Sequence, residues 1–215
     1  MINLHSHSFL SDGAFAPSEL ARRFEDKGYT ILGITDHIDI SNIEIVIPQL
    51  VKVCAELNKT MRIKVIPGAE LTYIPPESIA DAVKRARKLG AKLVLVHGET
   101  IVEPVPPGTN RMALKAEIDI LAHPGLISLE EAKLAAERNI FLEISCRKGH
   151  SLANGHIVGI AREVTAGLII GSDAHSLLDL MTPEMMEKMG CGAGLSKEEL
   201  DMSLENARRL AEKIL

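Results

Sequence analysis

Seven short apolar runs rich in β-branched residues recur along the 215-residue chain, separated by segments with helical periodicity. The runs are "INLHSH" (2–7), "ILGITDH" (31–37), "IKVIPGAE" (63–70), "KLVLVHGE" (92–99), "IDILAHPG" (118–125), "IFLEIS" (140–145) and "GLIIGSDAH" (167–175). Nearly continuous apolar strands are typical of a parallel sheet that helices cover on the outside. Their alternation with helical segments predicts an α/β protein, and seven repeats predict a (β/α) barrel.

Four of the intervening segments carry clear helix signals. They are "PSELARRFEDKG" (17–28), "ESIADAVKRARKLG" (77–90), "SLEEAKLAAERN" (128–139) and "SKEELDMSLENARRL" (196–210). The last two begin with capping boxes, in which Ser128 pairs with Glu131 and Ser196 with Glu199. The Pro-rich segment 99–110 is too long for a simple connection, so it is predicted to form part of a rim or lid.

Composition limits the classes of protein that this chain can represent. With 46% hydrophobic residues it has material for one large core, which predicts a single domain over residues 1–215. A net charge of -5 with scattered cations argues against a dedicated nucleic-acid or membrane-surface binder. Three cysteines without a CxxC pair, no secretion signal and no long apolar run predict free thiols in the cytoplasm. The sequence leaves the oligomeric state open.

Polar side chains stand where the apolar runs stop. In a barrel of this kind the C-terminal strand ends form the functional face. The candidates are His5, His7, Asp36, His37, Glu70, His97, His123, Asp173 and His175. Any one of these histidines could be a hydrogen-bonded core residue, but this explanation would have to hold independently at six positions. The set as a whole therefore favours metal binding. Imidazole and carboxylate ligands suit Zn²⁺, Mn²⁺ or Fe²⁺, and nine donors exceed what one tetrahedral ion requires. His150 and His156 lie outside this pattern and are interpreted as surface or supporting residues.

The ordered motifs resemble those of the polymerase and histidinol phosphatase (PHP) family. The matching segments are "HSHSFLSDG", "TDH", "GAE", "VHG", "AHPG" and "GSDAH", which cover the chain from His5 to His175. The resemblance implies a distorted (β/α)7 TIM-like barrel with a trinuclear metal site that hydrolyses phosphoesters. It assigns His5, His7, Glu70 and Asp173 to one ion, Glu70, His97 and His123 to a second, and Asp12, His37 and His175 to a third.

Two positions depart from the family pattern. Some family members carry histidine where Asp12 stands, which changes the charge of the third site. The sixth run continues as "EISCRKGH", where Ser145 stands in the place of a small polar residue such as asparagine. Cys146 beside it is either a thiolate ligand or an inert buried cysteine.

The predicted function is hydrolysis of a small organic phosphomonoester, similar to that of a histidinol phosphatase. The resemblance implies two to three divalent transition metals (Zn, Mn or Fe), which would activate a water for attack on phosphorus, so no nucleophilic side chain is expected. Arg147 and Arg111 are predicted to contact the phosphate, although solvent-exposed cations explain both equally well.

Two alternatives remain open from the sequence. One is a phosphodiesterase or nuclease acting on nucleotides or oligonucleotides, and the other is a non-catalytic metal-binding module. Four Phe, two Tyr and no Trp disfavour an extended base-stacking surface, which makes a small phosphorylated metabolite the expected partner.

Overall fold

The structure, a computed structural model, describes residues 1–215 and alternates short parallel strands with α-helices. The strands are β1 (Ile2–Asn3), β2 (Ile31–Ile34), β3 (His37–Ile38), β4 (Lys64–Leu71), β5 (Leu93–His97), β6 (Ile120–Ala122), β7 (Phe141–Ser145) and β8 (Leu168–Gly171). The helices are α1 (Pro17–Asp26), α2 (Ile43–Thr60), α3 (Ile79–Lys88), α4 (Thr109–Lys115), α5 (Leu129–Arg138), α6 (Asn154–Val164), α7 (Pro183–Gly192) and α8 (Lys197–Ile214).

One parallel sheet runs through the molecule in the order β1-β2-β4-β5-β6-β7-β8. The short strand β3 pairs with β4 in the same register as β2, because Ile34 lies opposite Pro67 and His37 lies opposite Glu70. The second predicted run is therefore one interrupted strand, and the sheet has seven strand positions. The prediction of a distorted (β/α)7 TIM-like barrel is confirmed.

The first and last strands close the barrel at their C-terminal ends. Ser6 forms a parallel bridge with Ala174, and the backbone N–H of His7 donates to the Ala174 carbonyl at 2.9 Å. The N–H of Asp173 donates to the carbonyl of His5 at 3.0 Å. Closure therefore brings the two ends of the motif series, His5 and Asp173, into direct contact.

The barrel interior is apolar in its N-terminal half and polar in its C-terminal half. A buried cluster inside the barrel comprises Leu4, Ile66, Leu93, Leu95, Ile120, Ala122 and Ile169, together with Ala207, Leu210 and Ala211 of α8. Strand-start residues such as Ile2, Ile31 and Phe141 pack against this cluster. Helix α8 therefore covers the N-terminal end of the barrel, and the polar strand ends lie at the opposite, open end.

Both predicted capping boxes form, at Ser128 with Glu131 and at Ser196 with Glu199. The sequence signals do not predict helix α2. It starts with β-branched residues and contains Pro48, which weakens the helical signal. Burial of Ile47, Leu50 and Cys54 against the sheet stabilises it nevertheless. No helix has the length and hydropathy required to cross a bilayer.

Candidate metal centre

An open cavity of about 350 Å³ lies over the C-terminal strand ends. Its lining is almost entirely polar and includes Asp12, His37, His97, Asp173 and His175. Residues from the loop after β1 to the loop after β8 contribute to it, because parallel strands present all their C-terminal ends on one face.

The carboxylate of Glu70 occupies the middle of this face. Its Oε2 lies 3.3 Å from His5 Nε2, 3.4 Å from His7 Nε2 and 3.0 Å from His37 Nδ1, while its Oε1 lies 3.2 Å from His123 Nε2. Glu70 is completely buried at the end of β4. One carboxylate that faces separate imidazoles with each oxygen has the arrangement of a ligand that bridges two ions.

The first predicted ligand group is compact. Asp173 Oδ1 lies 3.6 Å from His5 Nε2 and 3.3 Å from His7 Nε2. A tetrahedral ion about 2.1 Å from each ligand separates the ligand atoms by about 3.4 Å. Both imidazoles therefore lie at about the spacing of shared metal ligands from each of the two carboxylates.

Eight buried side-chain atoms in this region have no hydrogen-bond partner. They are His5 Nε2, His7 Nδ1 and Nε2, Glu70 Oε1 and Oε2, His123 Nδ1, and Asp173 Oδ1 and Oδ2. Buried polar atoms in folded proteins are nearly always paired, because an unpaired one costs about 1–3 kcal/mol. A concentration of unpaired donors of this chemistry fits the binding of divalent metal ions.

The third predicted group lies at the edge of the cavity. Asp12 Oδ1 is 3.2 Å from His175 Nε2 and 3.7 Å from His37 Nε2, and the two imidazole Nε2 atoms are 3.3 Å apart. Burial would raise the pKa of Asp12, but its hydrogen bond with His175 and the charge on His37 hold that pKa well below its usual range. Asp12 is therefore ionised and suited to a cation.

The turn that carries Asp12 depends on a glycine and on Asp36. A Cβ at Gly13 would overlap the carbonyl group of His7, so no other residue fits there without a backbone shift. The Asp36 carboxylate accepts from the N–H and Oγ of Ser8, each at 2.8 Å, and from Ser11 Oγ at 2.7 Å. Asp36 thus fixes the loop between the first and third ligand groups.

The second predicted group contains more donors than the sequence indicated. His97 and His123 have ring centroids 4.4 Å apart, and His150 stacks on His123 at 4.1 Å. Glu103 of the Pro-rich segment lies against His97, with Oε2 3.1 Å from Nε2. A surface position for His150 is wrong, because only 4% of it is exposed, whereas its alternative interpretation as a supporting residue stays a prediction. His156 is exposed on α6 and lies outside the cavity.

Glu143 is a buried residue of the site that the sequence analysis did not select. Its Oε1 lies 2.7 Å from His5 Nδ1, and its Oε2 accepts from the backbone N–H of His123 at 3.2 Å. A Cβ at Gly171 would overlap the Glu143 carboxylate, so glycine leaves room for it. The sequence feature that points to it is the position of this charged residue in the middle of the apolar run "IFLEIS". Carboxylates that orient metal-binding histidines in this way are frequent in metalloenzymes.

Buried carboxylates and imidazoles in the site shift one another's pKa values. Burial would lower the pKa of His5, but Glu143, Glu70 and Asp173 outweigh it and raise that pKa well above its usual value. Burial would raise the pKa of Glu70, but His5 and His37 hold it well below its usual range. His7 is different: burial and the neighbouring His37 lower its pKa and keep it neutral.

Two residues of the ligand groups have backbone conformations that are rare for side-chain-bearing residues. His123 has a φ of 28° and Asp173 a φ of 50°, and Tyr73 beside the cavity has a φ of 52°. The other non-glycine residues with positive φ, Asn139 and Thr165, are ordinary helix C-caps. Such strain costs about 1–3 kcal/mol per residue and concentrates at functional sites.

The remaining predicted residues differ in position. Arg147 lines the cavity, where its Nη1 contacts His175 Nδ1 and lies 3.3 Å from the Asp173 carbonyl oxygen. Arg111 is exposed on α4 and does not line the cavity. Cys146 is buried, and burial together with Glu143 and Asp173 raises the pKa of its thiol to about 12, which disfavours a thiolate.

The sequence is similar to known proteins over nearly its whole length. A family model described as PHP domain matches residues 3–102. An uncharacterized protein of Methanocaldococcus jannaschii is 44% identical over 204 residues, covering 94% of each chain. A probable phosphatase of Caldanaerobacter subterraneus subsp. tengcongensis is 27% identical, covering 84% of this chain and 78% of its own.

Solved structures share the fold at low sequence identity. A chain of archaeal ribonuclease P with mature tRNA superimposes with a TM-score of 0.73 at 15% identity, covering 99% of this chain and 90% of that one. Histidinol phosphate phosphatase of Lactococcus lactis, complexed with zinc, L-histidinol and phosphate, has a TM-score of 0.56 at 16% identity, covering 91% and 94%. These likenesses establish a shared barrel.

Proposed function

Because the chain belongs to the PHP domain family, we propose that it is a metal-dependent phosphatase that releases phosphate from a small organic phosphomonoester. The observation that carries the proposal is the set of eight unpaired buried donor atoms at the open end of the barrel. Folded proteins rarely leave so many buried polar groups unpaired, and a bound ion would complete them. The relative named as a probable phosphatase adds support from sequence.

The proposed ligand groups are those that the family resemblance implies. His5, His7, Glu70 and Asp173 would hold one ion, Glu70 with His97 and His123 a second, and Asp12, His37 and His175 a third. Such ions lower the pKa of water and neutralise charge on a phosphate, so no side-chain nucleophile is needed. Within the protein, Glu143 orients His5 through Nδ1, and Arg147 offers a guanidinium to the phosphate oxygens.

Cavity size and surface charge favour a small monoester over a nucleic acid. A volume of about 350 Å³ is suited to a small organic molecule. The net charge of -5 and the scarcity of aromatic side chains disfavour a long polyanionic substrate. A single domain over residues 1–215 and a cytoplasmic location, suggested by three free cysteines, remain part of the proposal.

The test combines metal analysis with a substrate screen. Purified protein should contain two to three equivalents of Zn, Mn or Fe, and it should release phosphate from members of a monoester panel that includes histidinol phosphate. Removal of the metal by a chelator should abolish the activity, and added metal should restore it. Metal content below one equivalent with activity that persists in chelator would contradict the proposal. Hydrolysis of bis(p-nitrophenyl) phosphate but of no monoester would favour the phosphodiesterase instead.

Arg147→Ala should raise KM about tenfold while kcat changes much less. A guanidinium that binds the phosphate equally in the ground and transition states contributes uniform binding, worth about 1.4 kcal/mol for each factor of ten. Steady-state kinetics on the best monoester measures both constants. Lys148→Ala provides the matched control, since Lys148 is the adjacent cation but is exposed and does not line the cavity. Equal KM values for Arg147→Ala and the unmodified protein would remove Arg147 from the phosphate site.

A further inference from the structure

Two donors beside the second ligand group, Glu103 and His150, lie outside the nine positions that the motifs indicate. We propose that both are ligands of the second divalent-ion site, where they complete the set formed by Glu70, His97 and His123. This inference rests on the metal dependence in the proposed function. It assigns a metal-binding role to the Pro-rich segment between β5 and α4 and to the turn after β7.

His150 has the placement of a metal-binding imidazole. Its Nδ1 forms a hydrogen bond with Thr100 Oγ1 at 2.7 Å, which fixes the ring and directs Nε2 toward the second ligand group. Histidines that bind a metal through one ring nitrogen usually form a hydrogen bond to a protein group through the other. His150 Nε2 lies 3.5 Å from Glu103 Oε1 and 3.8 Å from Asp173 Oδ2. These distances are too long for good hydrogen bonds, so they leave this nitrogen without a conventional partner.

Glu103 directs its carboxylate into the same space. Its Oε2 is 3.1 Å from His97 Nε2 and accepts from Tyr73 Oη at 3.0 Å. Its Oε1 faces His150 as described above. The Glu103 side chain is 34% exposed, which makes it the most accessible donor of this group.

The three imidazoles have the spacing of one ion site, and each carboxylate approaches one of them. The ring nitrogens of His97, His123 and His150 lie within 4.8 Å of one another. The carboxylate contacts are 3.1 Å for Glu103 with His97 and 3.2 Å for Glu70 with His123. Ligand atoms around a tetrahedral ion are about 3.4 Å apart, and five-coordination brings neighbouring ligand atoms closer together, to about 3.0 Å. Three imidazoles and two carboxylates form a donor set for Zn²⁺, Mn²⁺ or Fe²⁺.

The two segments that carry these donors pack against each other. Val102 lies over Gly149, where an added Cβ would come within 3.3 Å of the valine Cγ2. Gly149 has a φ of 95°, so glycine also suits its backbone. Because Glu103 follows Val102 and His150 follows Gly149, this contact positions both donors together.

Metal binding without turnover provides the test. Metal-free protein is prepared with a chelator and then titrated by equilibrium dialysis, separately with Mn²⁺ and with Zn²⁺. Glu103→Gln and His150→Gln should each weaken the binding of one ion at least tenfold and leave the other ions at wild-type affinity. His156→Gln and Glu77→Gln are the matched controls, because both residues are exposed and neither lines the cavity.

A second variant separates ligation from folding. Thr100→Val removes the hydroxyl that anchors His150 Nδ1 and leaves every proposed ligand in place, so the same ion should lose several-fold in affinity. In Co²⁺-loaded protein, the visible absorption bands should change in Glu103→Gln and in His150→Gln but not in the two controls. Circular dichroism confirms that each titrated variant is folded.

Wild-type affinity and stoichiometry in either Glu103→Gln or His150→Gln would overturn the proposal for the pair. Failure of the wild-type protein to bind either ion would overturn this inference and the proposed function together. Weakened binding in both variants, with no ester hydrolysed by the wild-type protein, would support the inference and contradict only the proposed function.

Discussion

Glu70→Gln should reduce phosphate release by about four orders of magnitude, which corresponds to about 5 kcal/mol of lost transition-state stabilisation. The reason is the position of this carboxylate, which faces His5, His7, His37 and His123 with its two oxygens. Glutamine keeps the size of the side chain but removes its charge and one acceptor oxygen. Both ions that Glu70 is proposed to share should therefore bind poorly.

The measurement combines metal content with steady-state kinetics on the same preparation. Glu70→Gln should retain at most about one of the two to three ions expected for the unmodified protein. Glu77→Gln changes an exposed glutamate shortly after β4, the strand that carries Glu70, and should leave metal content and activity at wild-type levels. Undiminished metal content and activity in Glu70→Gln would show that this carboxylate does not bridge ions.

Asp12→Asn should lower kcat by about two orders of magnitude, equivalent to about 3 kcal/mol, and lower the metal content by one ion. Asp12 belongs to the outermost ligand group and is 54% exposed, so the substitution removes charge without disturbing the buried network. The first and second groups keep all their donors. Added metal should restore part of the activity, because the weakened site still contains His37 and His175.

The alternative for Asp12 is a purely structural role in the turn before Gly13. Asparagine substitutes well in such a turn, so a structural role predicts wild-type activity and an unchanged metal count in Asp12→Asn. Metal analysis and kcat measured across a metal titration distinguish the two roles. Asp81→Asn, which alters an exposed aspartate on α3, controls for the loss of one surface charge.

The barrel could be predicted from the sequence because its determinants are local. Each apolar run has the length and composition of a buried parallel strand, and the capping boxes at Ser128 and Ser196 mark helix starts within four residues. Parallel strands place their C-terminal ends on one face whatever the details of packing. The convergence of residues as distant as His5, Glu70 and Asp173 follows from that rule.

The roles of Glu143, Glu103 and His150 depend instead on contacts between distant segments. Glu143 meets His5 across 138 residues of sequence, and His150 meets Thr100 across 50. Periodicity shows which side of a strand a residue faces, but it carries no information on which side chain of another strand lies opposite. Glu103 and His150 stand on connections, where no regular period fixes the direction of a side chain. Closure of the barrel and packing of Val102 on Gly149 set their positions. The positions of the strand-end residues can therefore be predicted from local sequence patterns. The positions of Glu143, Glu103 and His150 are decided by barrel closure and by the packing of the loops.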